Sequence, residues 1–429
     1  MGASSRDESD PLTSIEICAG AGGQALGLHQ AGFRHLALVE IDKHAHATLD
    51  KNIAAHEDWG ACEALNQDLV SEFDPGRKMA ALGGRALKEG ELDLLAGGVP
   101  CPPFSVAGKQ LGRDDDRDLF WRMVELVEAL RPRAVMIENV RGIMDAKFDS
   151  YCDDVIKDIE KLGYWFCGWH LLEAHNYGVP QLRPRTVFVA IRDSERQAAG
   201  LGVDDFPWPV GVSKRPKNVF EALEETMKAR RDALVREFPA RAEQIADAYD
   251  RWQKEADQPG TVAPTLVGGS RKHGGADLGP SRAKAAWAAL GVDALGVADD
   301  IRECKTVDQE KHLEREFLRP AGPMLTVEQA AIIQSFPADW RFSGRKTAQY
   351  RQVGNAFPPP VAEAVGRAIA SVLQPSRRDE LLKGLAIEKL GARRGKRGFR
   401  QSEIAELLDV SVSAAEPSLD DRSSDLVRA

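Results

Sequence analysis

The strongest constraint on this chain is a glycine turn placed directly behind a short apolar run. Ser14-Ile-Glu-Ile-Cys18 is followed by Ala19-Gly20-Ala21-Gly22-Gly23-Gln24-Ala25, then by residues of helical character through about Ala31. A strand that passes through glycines straight into a helix opens a doubly wound α/β fold. The glycines let backbone approach a ligand and let the helix pack close on the strand. Further apolar runs follow at His35–Glu40, Leu92–Ala96, Ala134–Glu138 and Thr186–Ile191, with helical segments between most of them. Strands alternating with helices predict a mostly parallel sheet covered on both faces. The stretch Glu72–Gly90 reads as an insertion rather than a further strand.

The alternation stops after Arg192. Pro207, Pro209 and Pro216 interrupt the next segment, and a charged helical stretch runs from about Asn218 to Gln258. Leu266-Val-Gly-Gly-Ser-Arg-Lys-His-Gly-Gly275 is too rich in glycine for a buried element. An amphipathic helix returns at Val361–Leu373. Beyond it, residues 376–400 hold nine Lys/Arg against three Asp/Glu, and residues 401–429 hold two Arg against seven acids. Gly398–Ser411 resembles the first helix and turn of a helix-turn-helix module. The acidic, Ser-rich residues that follow make a poor recognition helix, so a loosely ordered tail is expected.

Composition bounds the class. A chain of 429 residues with 43% hydrophobic content can bury a core without disulfides, which excludes disordered, collagenous and coiled-coil proteins and predicts two or three domains. The net charge of −9 excludes a uniformly basic surface, so any nucleic-acid contact must come from local cations. The six cysteines show neither a Cys-x-x-Cys pair nor metal spacing, so reduced thiols in a cytosolic compartment are expected, with no metal. The polar start, Met1–Asp10, carries no signal core, and no run of 18 apolar residues exists to span a membrane.

Four segments carry chemistry. The glycine turn is the first, with Glu40 placed 20 residues after Gly20, where a carboxylate can accept from ribose hydroxyls. This pattern fits nicotinamide dinucleotides as well as other adenosine cofactors. The second is Gly97-Gly98-Val99-Pro100-Cys101-Pro102-Pro103-Phe104-Ser105, behind a strand. A thiol on a stiff proline-flanked loop at a carboxyl strand end is a candidate nucleophile, alongside the plainer reading of a packing cysteine. The third is Glu138-Asn139-Val140, whose carboxylate points to the same crevice and can protonate a ring nitrogen if its pKa is raised. The fourth is Gln181-Leu-Arg183-Pro-Arg185; arginines two apart on extended backbone share a face, so both could reach an anionic group, a carbonyl or the thiolate of Cys101.

Together these segments resemble the DNA (cytosine-5) methyltransferases, of the bacterial restriction-modification type, in the same order along the chain. Glu16-Ile-Cys-Ala-Gly-Ala-Gly-Gly23 is similar to the cofactor motif, Pro100-Cys101 to the catalytic dipeptide, Glu138-Asn139-Val140 to the Glu-Asn-Val motif and Gln181-x-Arg183-x-Arg185 to the Gln-x-Arg-x-Arg motif. Leu325-Thr326-x-Glu328 with Gln334-Ser-Phe-Pro337 resembles the ninth motif, and Gln352-Val-Gly-Asn355-Ala-Phe-Pro-Pro359 the tenth. The family's usual Phe is Cys18 here, its commoner Asp is Glu16, and the Gln often found after the catalytic cysteine is Pro102.

The resemblance implies a Rossmann-like fold, α/β with a doubly wound mostly parallel sheet, dependent on S-adenosylmethionine. It implies a catalytic domain at 14–192 plus 346–374, a smaller irregular target-recognition domain at 193–345, a disordered start at 1–13 and a charged tail at 375–429. It implies catalysis by Cys101, Glu138, Arg183 and Arg185, with the arginines holding the cysteine loop and the base's O2. The cofactor would be held by Cys18, Ala19, Gly20, Gly22, Gly23, Glu40, Ile41, Asp68, Leu69, Leu119, Asn355 and Ala356, with Asp68 at the adenine amino group. Duplex DNA would meet Pro100, Ser105, Arg271, Lys272 and Arg282. A cytoplasmic monomer acting on a specific DNA sequence is expected, in a setting that commonly includes a cognate restriction endonuclease. An RNA-directed relative, an oxidoreductase and a silent DNA-binding regulator are the alternatives. The oxidoreductase leaves Cys101, Glu138 and the later motifs unused, and the regulator leaves the intact catalytic residues unexplained.

Overall fold

The computed structural model describes residues 10–69, 72–74, 90–100, 119–213, 215, 217–258, 260–268, 276–299 and 309–388. Its first half alternates as the apolar runs predict: β1 (Leu12–Ile17), α1 (Gly23–Gln30), β2 (Phe33–Val39), α2 (Lys43–Ala55), β3 (Glu63–Leu65), β4 (Leu94–Gly97), α3 (Leu119–Leu130), β5 (Ala134–Val140), α4 (Asp149–Lys161), β6 (Tyr164–Glu173) and β7 (Pro184–Arg192). The seven strands form one sheet in the order β3-β2-β1-β4-β5-β7-β6. Six of them run in one direction, and β7 alone runs antiparallel, between β5 and β6.

Period-two alternation explains why these strands read as unbroken apolar runs. In β5, Ala134 and Met136 face one layer while Val135 and Ile137 face the other, and all four are buried. One layer is closed by α3 and α4 through Phe120, Met123, Val155 and Ile156. The opposite layer is closed in part by a C-terminal helix. Two short or irregular strands escaped the sequence reading. β3 has only three residues, and β6 carries a bulge between Phe166 and Gly168 that interrupts its alternation.

After Arg192 come α5 (Asp193–Ala198), β8 (Pro209–Val212), α6 (Val219–Glu237), α7 (Ala242–Ala256), α8 (Ser281–Ala288), α9 (Gln309–Glu316), α10 (Val327–Ile333), α11 (Lys346–Asn355), α12 (Pro359–Leu373), α13 (Arg378–Leu382) and β9 (Leu385–Ile387). The single helical stretch expected over 218–258 is two helices. Pro239 excludes Phe238 from helical backbone, and a 3-10 turn at Pro239–Arg241 re-aims the chain. Asn218 starts the first of them with a capping box to Glu221. The tryptophans of this region, Trp252 and Trp287, are fully buried in a core that continues into Leu26 of α1 and Leu49 of α2. Meanwhile α12 lies along α1: Gly27 leaves room for the Pro359 carbonyl, which a Cβ there would meet at 2.2 Å. The first part of the C-terminal stretch is built in, because β9 pairs antiparallel with β8. Residues 389–429 lie outside the described residues, as do 1–9 and most of 70–89. Among the described residues no helix is long and apolar enough to cross a membrane.

Candidate active site

Register places the site. Ile17 of β1 stands opposite Gly97 of β4, and Gly97 opposite Ile137 of β5. The next residue on each strand, Cys18, Gly98 and Glu138, therefore forms a row at the carboxyl ends. The chain also changes direction between β1 and β4, which opens a crevice there in a doubly wound sheet. A Cβ built on Gly98 would lie 3.2 Å from Glu138 Oε2 and 3.6 Å from the Cys18 carbonyl oxygen, so the row is tightly spaced. A cavity of about 570 Å³ fills the crevice, walled by the segments after β1, β2 and β4, by Glu138 and by Asn355–Phe357.

The glycine turn is held from both sides. Gly20 and Gly22 adopt left-handed backbone (φ 57° and 87°), and so does Cys18 at 51°. Trp340 donates from Nε1 to the Ala21 carbonyl at 3.0 Å, and its ring fills the space that a side chain on Gly22 would need. Behind the turn, Gly23 lets α1 meet the chain entering α12, since a Cβ there would lie 2.4 Å from the Phe357 carbonyl. The backbone N–H groups of Gly20 and Asp42 donate to the two oxygens of Glu40, each at 2.7 Å. Burial raises the Glu40 pKa while those two donors oppose the rise. Its carboxylate is thus fixed in direction on the cavity wall with lone pairs to spare. Cys18 also lines the cavity, but burial, with Glu40 and Glu16 nearby, pushes its thiol far above the ordinary range, so it is a packing group rather than a nucleophile.

At the other end, Arg185 Nε lies 2.8 Å from Glu138 Oε1, with both side chains about nine-tenths buried. Burial nevertheless raises the Glu138 pKa against the pull of Arg185 and Arg183. A carboxyl held this way can keep a proton for a ring nitrogen. Asn139 turns inward from the next position. Its Nδ2 donates to the Val99 carbonyl at 2.8 Å, pinning the backbone that enters Pro100.

The two arginines part company. Arg183 is fully buried and donates from Nη1 to Leu266 O at 2.6 Å and from Nη2 to Gly354 O at 2.7 Å. Gln181 shares the task, accepting from Leu266 N at 2.9 Å and donating toward Gln334 Oε1 at 3.2 Å. Arg183 lies one residue before β7, which begins at Pro184, and it still acts electrostatically on both Arg185 and Glu138.

The structure thus gathers Cys18, Ala19, Gly20, Gly23, Glu40, Ile41, Pro100, Glu138, Asn355 and Ala356 around one cavity. Gly22, Asp68, Leu69, Leu119, Arg183 and Arg185 stand outside its lining. The backbone N–H of Asp68 donates to Glu72 at 2.9 Å in a local turn. Arg282 lies exposed on α8, while its neighbour Lys284 is paired to Asp277 at 2.9 Å. Cys101, Ser105, Arg271 and Lys272 lie outside the described residues. Sequence reasoning did not select Glu16, Gln24, Asp42 or Arg351 as site residues, yet all four line the cavity. Glu16 and Gln24 are buried, and Glu16 Oε2 and both side-chain polar atoms of Gln24 have no hydrogen-bond partner among the described residues. A polar residue within an apolar strand, or in the first turn of an apolar helix, was the available signal.

Residues 12–371 match the family model for C-5 cytosine-specific DNA methylases. The chain belongs to that family. It is 45% identical over 363 residues to the type II methyltransferase M.NaeI of Lentzea aerocolonigenes, covering 84% of this chain and 75% of the relative. It is 42% identical over 366 residues to the type II methyltransferase M.NgoMIV of Neisseria gonorrhoeae, covering 85% and 98%. The fold is shared with a DNMT2 variant from Spodoptera frugiperda, at a TM-score of 0.51 and 16% identity, covering 83% of this chain and 99% of that one. As a member of the family, the chain is a DNA (cytosine-5) methyltransferase that takes its methyl group from S-adenosylmethionine. The cavity fits that cofactor. Its volume suits a small ligand, and the acidic side chains of Glu40 and Asp42 on its wall suit a cofactor that carries ribose hydroxyls and a positive charge.

Proposed function

We propose that this enzyme methylates one cytosine within a specific duplex DNA sequence, with Cys101 as nucleophile. The observation that carries the reading is a shared cavity. The ribose-type acceptor Glu40 lies on one wall, Glu138 lies at the other end, and Pro100, held close behind the Asn139–Val99 hydrogen bond, lines the same cavity one residue before Cys101 in the sequence. Glu40 would hold the cofactor's ribose, and Asn355 with the glycine turn would hold its remainder. The cofactor supplies an electrophilic methyl group on sulfur.

Cytosine C5 is a weak nucleophile. The Cys101 thiolate adds to C6 while Glu138 delivers its proton to N3, which leaves C5 enamine-like. C5 would then take up the methyl group as its bond to the cofactor's sulfonium sulfur breaks, leaving a thioether; loss of the C5 proton to a base would expel the Cys101 thiolate, and the N3 proton would return to Glu138. Arg185 steadies Glu138 throughout, and because C6 is hidden in a stacked duplex, the base must be flipped out at a cost of a few kcal/mol. Arg183 ties Leu266 to Gly354 of α11, and from that position it also acts on Glu138 beside Arg185.

Residues 193–345 are proposed to read the sequence, with Arg271 and Lys272 on phosphates or base edges. The curated relatives are type II methyltransferases, which favours a restriction-modification setting in the cytoplasm with a cognate endonuclease. Turnover of labelled S-adenosylmethionine on duplex DNA but not on tRNA tests the substrate class. Bisulfite sequencing of the expression host gives the target. Cys101→Ala should abolish transfer while retaining cofactor binding, and normal turnover in that variant sinks the mechanism.

A further inference from the structure

Thr186 sits behind the strand end that carries Glu138. It is the third residue of β7, is fully buried and stands directly opposite Asn139 of β5. The residues that follow it on the strand, 187–191, are all apolar and buried. A valine would suit that strand equally well, since both side chains branch at Cβ. The hydroxyl therefore needs a separate reason, because burying one costs free energy unless it is hydrogen-bonded. Thr186 Oγ1 donates to the Asn139 carbonyl at 3.1 Å and, sharing the same proton, to the Val140 carbonyl at 3.3 Å.

Those carbonyls belong to the two residues that follow Glu138. β5 ends at Val140 and a 3-10 turn starts at Arg141, so the strand stops just beyond the acid. Alternation puts Glu138 and Arg185 on one face of the β5–β7 pair as diagonal neighbours, and Asn139 and Thr186 on the other, directly opposed. On the first face Arg185 Nε holds the carboxyl at 2.8 Å. On the second, the Asn139 side chain makes two bonds of its own. Its Oδ1 accepts from the Val140 N–H and its Nδ2 donates to the Val99 carbonyl, each at 2.8 Å. Thr186 thus fixes the backbone from which both the Glu138 carboxyl and the Asn139 amide project. We propose that Thr186 is a positioning residue for methyl transfer, its hydroxyl keeping Glu138 in register with the Val99–Pro100 backbone. Thr186 stands outside the cavity lining, so it acts only through these neighbours.

Thr186 has this role only if Glu138 acts in the reaction as proposed, and the experiment separates the two ideas. Single-turnover transfer from labelled S-adenosylmethionine to genomic DNA of a host lacking the enzyme is measured on the full chain. Affinity for S-adenosylhomocysteine is measured beside it by calorimetry. Thr186→Val keeps the shape and removes the donor. It should transfer about tenfold more slowly, the scale of one hydrogen bond, with cofactor affinity within about twofold of wild type. Thr186→Ser keeps the hydroxyl and should restore the rate. A wild-type rate in Thr186→Val overturns the assignment, as does an equal loss in Thr186→Ser or a loss of rate matched by a loss of cofactor affinity. If Thr186→Val does not fold, as judged by its melting curve, Thr186→Cys gives the same comparison with a weak donor. Glu138→Gln is the control. At wild-type rate it removes Glu138 from the reaction and Thr186 with it, whereas a slow Glu138→Gln beside a normal Thr186→Val overturns Thr186 alone.

Discussion

The cofactor cavity and the strip from Gln181 to Arg183 sit at the same end of one sheet, and both bury polar side chains, yet they dispose of them in opposite ways. In the strip, Gln181 and the terminal nitrogens of Arg183 are engaged by backbone and side-chain partners from Leu266, Gln334 and Gly354. In the cavity, Glu16 and Gln24 present buried atoms that no described residue meets. Buried groups bonded to backbone from distant segments fix geometry, whereas the open cavity beside Glu40 and Glu138 leaves room for a ligand. The two regions are a frame and a receptacle, and their residues should fail differently when changed.

Glu138→Gln tests the receptacle most severely. Loss of the proton donor should lower single-turnover methyl transfer by about a thousandfold, the range of general acid catalysis, with the melting temperature little changed. The pH dependence sharpens this test. Because burial raises the Glu138 pKa, the protonated form persists above the usual carboxylate range and is lost as pH rises through the raised value. Wild type should therefore show an alkaline fall in rate that Glu138→Gln lacks, and an identical alkaline limb in both enzymes assigns that limb to another group.

Arg183→Leu tests the frame. Two buried carbonyls lose charged donors, so stability should drop by about 3 kcal/mol in denaturant titration. A fully stable Arg183→Leu enzyme with normal cofactor affinity but no turnover would move Arg183 from the frame to the reaction. Gly23→Ala should cost about 2 kcal/mol through overpacking against the Phe357 carbonyl. Gly20→Ala is the smallest effect. Nothing lies within 4 Å of its Cβ position, so only the left-handed backbone resists, at about 1 kcal/mol. The reverse order of these two glycines in thermal melts would show that strain, not crowding, governs the turn.

Much of this was legible in the residues. The glycine turn, Glu40 and Glu138 stand out because ligand-binding backbone requires glycine and because a carboxylate at a carboxyl strand end faces the crevice. The parallel strands read clearly because both of their faces are buried. Strand β6 did not, since its bulge at Phe166–Gly168 breaks the alternation that announces a strand. Gln24 was hidden for a different reason. One polar residue in a helix's first turn normally marks solvent, and only the packing of Gly23 on Phe357 makes that turn an interior wall. The backbone partners of Arg183, Leu266 and Gly354, lie far along the chain, so local sequence does not announce them.

The contact between Gly268 and Gly354 has a consequence for engineering. A Cβ on Gly354 would lie 2.6 Å from Gly268 Cα, and one on Gly268 would meet Asn355 Oδ1 at 2.0 Å, so two bare backbones touch where the 260–268 segment crosses α11. That contact is a seam. Anyone splicing the central region of a relative into this scaffold to change its DNA target must carry both glycines and Arg183 across the joint, or the graft will pry open the wall of the cofactor site.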